Sequence, residues 1–97
     1  MAYYVFLANF TDQGVRAVRE TPKRAEAFKG MAEKLGAKVH VLLWTLGKHD
    51  VVTIIEAPDD LTATALSLSV SELGNVKTQT LKAFDANDLR QIIGKMG

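Results

Sequence analysis

Two strand-like runs, residues 39–44 and 51–57, are joined by Thr45-Leu46-Gly47-Lys48-His49-Asp50, and this spacing constrains the fold more than any other feature of the chain. A short connection with a glycine at its middle returns one β-favouring run alongside the other as a hairpin. The same segment holds a turn glycine, a cation, an imidazole and a carboxylate within four residues, 47–50. It fixes a central hairpin, and it names no reaction.

The remaining elements fall around that hairpin. Residues 3–10 are a continuous run rich in Tyr, Val, Phe and Leu and read as a first strand. Thr11-Asp12 offers a helix cap with a carboxylate in the first turn, where the helix dipole favours it. Thr21-Pro22 is a second start signal, a capping residue followed by proline at the first helical position. The segment is therefore either one helix kinked at Pro22 or a short turn followed by a long helix. Ala25, Phe28, Met31, Ala32 and Leu35 trace one face at helical period, and Gly36 is a natural terminator. Pro58-Asp59-Asp60 stops the third strand and starts a helix that carries Leu61, Ala65, Leu66, Leu68 and Leu73 and ends at Gly74. Residues 76–83 alternate as a fourth strand, and 86–95 make a last short helix with Leu89, Ile92 and Ile93 inward.

The order is β-α-β-β-α-β plus a C-terminal helix over one domain, residues 1–97. It predicts an α+β, ferredoxin-like fold: a four-stranded antiparallel sheet with two helices on one face. In such a fold the open face of a monomer is polar. Here both faces of the first and third strands are apolar, with Tyr3, Val5 and Leu7 on one side and Tyr4, Phe6 and Ala8 on the other. Four strands present roughly 400 Å² in projection, already the size of the largest apolar patch a monomer ordinarily exposes. A second copy is the expected cover, making a homodimer or higher homo-oligomer; the C-terminal helix folding over the face is the competing explanation.

Composition excludes several classes. Twelve basic against eleven acidic residues leave a net charge of +1, without the electrostatic footprint of a nucleic-acid binder or a polybasic membrane anchor. There are no cysteines, hence no disulfides and no thiolate-ligated metal. The start MAYYVFLANF is too short to span a bilayer and lacks a cleavage site, so it reads as a buried strand and the expected location is the cytoplasm. No Gly-x-Gly-x-x-Gly or P-loop pattern occurs, and no cofactor is expected.

Thr11, Gln13-Gly14, Pro22, Arg24, Leu35-Gly36, Thr45-Leu46-Gly47, Asp50-Val51-Val52, Glu56-Ala57-Pro58, Gly74-Asn75-Val76 and Thr78-Gln79-Thr80 together resemble the GYD-domain proteins, a family of small bacterial and archaeal proteins. The resemblance covers nearly the whole chain. It implies a ferredoxin-like fold of the dimeric α+β barrel type and implies no reaction. Where the family carries Gly-x-Tyr-Asp this chain reads Gly47-Lys48-His49-Asp50, with His49 replacing the tyrosine.

Candidate chemistry is sparse. His49 and Asp50 are the candidate catalytic pair, an imidazole that a carboxylate could orient as a base. Adjacent strand residues point apart, however, and Asp50 equally suits hydrogen bonding to turn amides. His40, Leu42 and Trp44 share one parity of the second strand, so His40 and Trp44 are candidate ligand-binding residues or ordinary core. Arg24 could hold a carboxylate or phosphate with its planar fork, or pair with Glu20 or Glu26. Thr80, on one face with Thr78, completes the candidate ligand set. His40 and His49 match no metal spacing, and no metal site is expected. Two function classes stand open: a homo-oligomeric module that binds a small ligand or regulates a partner, and a cofactor-independent isomerase or monooxygenase-like enzyme acting on a small apolar or aromatic substrate. A trimeric signalling protein on the same scaffold is a third.

Overall fold

The computed structural model describes all 97 residues. Strand β1 (Ala2–Phe10) leads into α1 (Asp12–Arg16), one 3₁₀ turn (Val18–Glu20) and α2 (Thr21–Lys34). The hairpin β2 (Lys38–Trp44) and β3 (Val51–Ala57) follows, then α3 (Asp60–Glu72), β4 (Val76–Ala83) and α4 (Ala86–Lys95). The sheet order is β2-β3-β1-β4, with every neighbouring pair antiparallel. This is the ferredoxin-like α+β arrangement that the element order predicts.

Local chemistry sets the boundaries. The Thr11 hydroxyl caps α1 by accepting from Gly14 N at 3.1 Å, and the Asp59 carboxylate caps α3 by accepting from Thr62 N at 2.8 Å. Asp85 and Asp88 close a reciprocal capping box at the start of α4. Gly36 and Gly74 take the positive φ that ends a helix, 77° and 85°. The chain takes the form of a short helix, a turn and then a long helix, rather than one helix kinked at Pro22. Thr21 itself is not the cap: it is the first residue of α2, and its hydroxyl accepts from Arg24 instead.

The core lies between the sheet and the layer made by α2 and α3. Tyr4, Phe6 and Ala8 of β1, Ile55 and Ala57 of β3, Phe28 and Ala32 of α2, and Ala63 and Leu66 of α3 are all buried there. Phe6 meets Phe28 edge-on, ring centroids 6.3 Å apart. Truncating Ile55, which is fully buried, to Ala costs about 2–5 kcal/mol. The apolar residues of α3 divide between two faces. Leu66 faces the sheet with Ala63 and Ser67, while Leu61, Leu68 and Leu73 are exposed.

One irregularity sits in β2. Val39 pairs with Ile55, and the next pair is Val41 with Ile54, so His40 is an extra residue, a β-bulge. The bulge inverts the parity of the strand. Leu42 and Trp44, opposite Thr53 and Val51, therefore face the helices. His40 faces the other way, against Tyr3 and Glu56. The expectation that His40, Leu42 and Trp44 share a face is corrected here.

The last helix also departs from expectation. None of its residues is buried, and Leu89 and Ile93 are more than half exposed. Their period reports that α4 has an apolar face, not that this chain covers it. The open sheet face, with Val5, Leu7, Val52 and Ile54 half-buried and Leu43 and Leu81 exposed, is likewise left uncovered. The accessible surface is 6651 Å², and the molecule measures 52 × 31 × 18 Å. A compact monomer of this mass exposes about 5,500 Å², so the chain carries roughly 1,200 Å² in excess. No helix is long and apolar enough to cross a membrane.

Candidate functional site

Between α2 and the sheet the packing leaves a cavity of about 130 Å³. Its floor is the buried set Phe6, Ala8, Phe28 and Thr53, and its rim includes the half-exposed Trp44 and Leu73. Thirteen of the eighteen lining residues are hydrophobic, and Arg24 is the only charged one. The void follows from side-chain size. Ala8 on β1 and Ala25 on α2 present only methyl groups to the space between sheet and helix.

Arg24 lies in the first turn of α2. One terminal nitrogen donates to the Ala17 carbonyl and the other to the Thr21 hydroxyl, each at 3.0 Å. Neither Glu20 nor Glu26 pairs with it; Glu26 pairs with Lys29. A guanidinium has five N–H donors, and these two bonds leave three of Arg24's unspent.

Of the six residues the sequence nominates, the structure brings two, Arg24 and Trp44, to this cavity. Asp50 stands just behind its rim: one carboxylate oxygen accepts from the amide of Phe10, a lining residue, at 2.9 Å. His49 does not meet Asp50; its Nδ1 lies 3.1 Å from the side-chain oxygen of Asn9, whose amide nitrogen donates to the Lys48 carbonyl. Thr45 closes the same turn by donating to the His49 carbonyl. His40, on the open face, is 2.6 Å from Glu56 with its ring beside Tyr3, centroids 5.9 Å apart. The partners Tyr3 and Asn9 are six positions apart on β1, about 20 Å, so the two imidazoles belong to opposite ends of the sheet. No group of three or more His, Asp or Glu side chains converges as a metal site.

Thr80 is outside the cavity. Its hydroxyl donates to Ser67, which with Ser71 shares the hydroxyl of Thr78 at 2.7 and 3.1 Å. Thr78 lines the cavity, so this chain of hydroxyls fixes one wall. Residues that sequence reasoning passed over as site components are Phe10 and Asn75. Asn75 carried a signal, as part of Gly74-Asn75-Val76. Its carbonyl accepts from Thr11 N at 3.1 Å, and its side chain accepts from Gln13 at 2.9 Å. The Thr11 hydroxyl donates to the Gly74 carbonyl at 2.6 Å, closing a clasp between α1 and the start of β4. Gly14 completes it, because a Cβ there would collide with the Asn75 carbonyl.

A second polar group lies at the far end of the sheet. Tyr4, buried, donates to Asp60 at 2.5 Å, and Lys82 donates to the same oxygen at 2.9 Å. Burial and that hydrogen bond push the Tyr4 phenol up to about 12, and the donors from Tyr4 and Lys82 hold the Asp60 carboxyl below its ordinary value. The group ties α3 to β1 and β4.

A family model described as GYD domain matches residues 4–93. No curated protein matches the chain.

Proposed function

This chain belongs to the GYD-domain family, and from that premise we propose that it is a homo-oligomeric domain that binds a small molecule in the cavity between α2 and the sheet. The observation that carries the reading is the cavity itself, an apolar void with one cation on its wall. Ligand sites are apolar concavities with a few placed polar groups. No imidazole lines the cavity, and His49 and Asp50 are each bonded elsewhere, which favours binding over turnover.

The assembly half of the reading rests on surface. The excess of roughly 1,200 Å² is ample for a dimer interface, which buries about 800 Å² per partner. The uncovered apolar sheet face and the uncovered face of α4 are where it lies. A second copy on the sheet face gives the dimeric α+β barrel arrangement.

Native mass spectrometry of protein purified without added ligand tests both halves in one spectrum. The expected result is a dimer or larger assembly carrying a small-molecule adduct. A bare monomer that takes up no small apolar molecule overturns the reading. Binding has its own optical readout, because Trp44 is the only tryptophan and lines the cavity.

A further inference from the structure

We infer that the cavity takes a small carboxylic acid, with an aromatic ring or similarly sized apolar group inside and the carboxylate on Arg24. This rests on the cavity-binding reading above and specifies its ligand. The size of the void sets the apolar part. An apolar cavity of about 150 Å³ accommodates benzene, and this one is about 130 Å³. One ring or a chain of about six carbons fits inside it.

The charge sets the polar part. Arg24 is the only ionic group on the lining and makes no ion pair with any residue of the chain. Its two internal bonds, to Ala17 and Thr21, fix the guanidinium plane and leave three N–H donors for a planar acceptor. A carboxylate matches that fork in charge and in geometry. Thr21 and Arg24 both line the cavity, so the anchor and the hydroxyl that steadies it stand on the same turn. The other lining hydroxyls are already committed: Thr53 donates to the Val41 carbonyl and Thr78 is shared by two serines. Arg24 is thus the one charged anchor a ligand meets, with the Asn75 side-chain amide, whose oxygen is held by Gln13, the other polar side chain on the lining besides the threonines. Half-exposed Trp44 on the rim offers a flat wall for the ring.

The experiment is a Trp44 fluorescence titration with three acids, benzoate, phenylacetate and hexanoate, and their uncharged amides. Wild-type protein is expected to hold at least one acid roughly 10- to 100-fold more tightly than its amide, the range of a hydrogen bond to a charged group. In Arg24→Leu the acid and its amide should converge to within about twofold while amide binding persists, and Arg24→Lys should recover only part of the preference, because an ammonium keeps the charge and loses the fork. Equal binding of acid and amide by the wild type overturns the carboxylate assignment and leaves cavity binding standing. Silence from all six probes overturns the cavity reading and this inference with it. The wild-type ratio alone decides the matter if Arg24→Leu loses its fold with the Ala17 bond.

Discussion

The hydroxyl of Tyr4 donates to the carboxylate of Asp60 at 2.5 Å across 56 positions of sequence, from the central strand to the first turn of α3. Both groups are displaced in the direction that makes folding pH-dependent. The Tyr4 phenol is raised from 10.0 to about 12, so its contribution is complete below pH 10 and is lost as pH rises through about 12. Asp60 is lowered from 3.8, so its contribution is complete above that value and is lost as pH falls through the lower folded value. Denaturant unfolding across pH 3 to 12 should show both limbs. Tyr4→Phe should make the alkaline limb shallower without abolishing it, since Tyr3 is raised too, chiefly by the charge of Glu56. An unchanged alkaline limb in Tyr4→Phe would contradict the assignment.

Two glycines should respond to alanine with opposite signs. At Gly14 a Cβ meets the Asn75 backbone, which cannot move without opening the clasp, so Gly14→Ala should cost about 1–3 kcal/mol. Gly30, inside α2, has nothing within 4 Å of a built Cβ, and Gly30→Ala should stabilise by about 0.5–1 kcal/mol. Urea midpoints of the two variants decide it, and matching signs would be inconsistent with this packing.

Thr11→Ala removes a hydroxyl with two duties. It accepts from Gly14 and donates to the Gly74 carbonyl. The loss should exceed that of a cap alone, about 1–2 kcal/mol or somewhat more. Thr11→Ser should restore most of it. Thermal unfolding of the pair is the check, and Ser behaving like Ala would point to the lost methyl rather than the bonds.

Leu43→Lys and Leu81→Lys place charges on the open sheet face at residues already exposed, 57% and 40%. Each should leave far-UV dichroism intact and shift the proposed homo-oligomer toward monomer by light scattering, because a lysine buried between copies lacks a counter-charge. Unchanged mass for both would place the interface elsewhere, with the uncovered face of α4 the next candidate.

Much of the fold could be read from the chain because its boundaries are written in local chemistry. Asp59 after Pro58, Gly36 and Gly74 at helix ends, and Asp85 before residue 86 act within one turn of where they stand. The bulge at His40 has no such signature, since it arises from how β2 registers on β3. Its parity change separated His40 from Trp44. The apolar period of α4 was correct, but which surface meets that face is not encoded within the helix. Arg24 and Trp44 were visible as residue types, whereas the cavity uniting them depends on how α2, α3 and the sheet pack together, which no single segment states.

Because the bulge is one added residue, the strand on either side of His40 already sits where an unbulged strand would place it. Deleting His40 would keep Val39 and Leu42 toward the helices and Val41 toward the open face, at the loss only of the contacts with Glu56 and Tyr3. Deleting Leu42 would close the bulge in another way, pairing His40 with Ile54 and Val41 with Thr53 and leaving Trp44 opposite Val51, with Val41 in place of Leu42 toward the helices. The spare residue makes β2 a buffer for length: one deletion between Val39 and Trp44 leaves the pairs at both ends of the strand in place, whereas a second has no slack to take up.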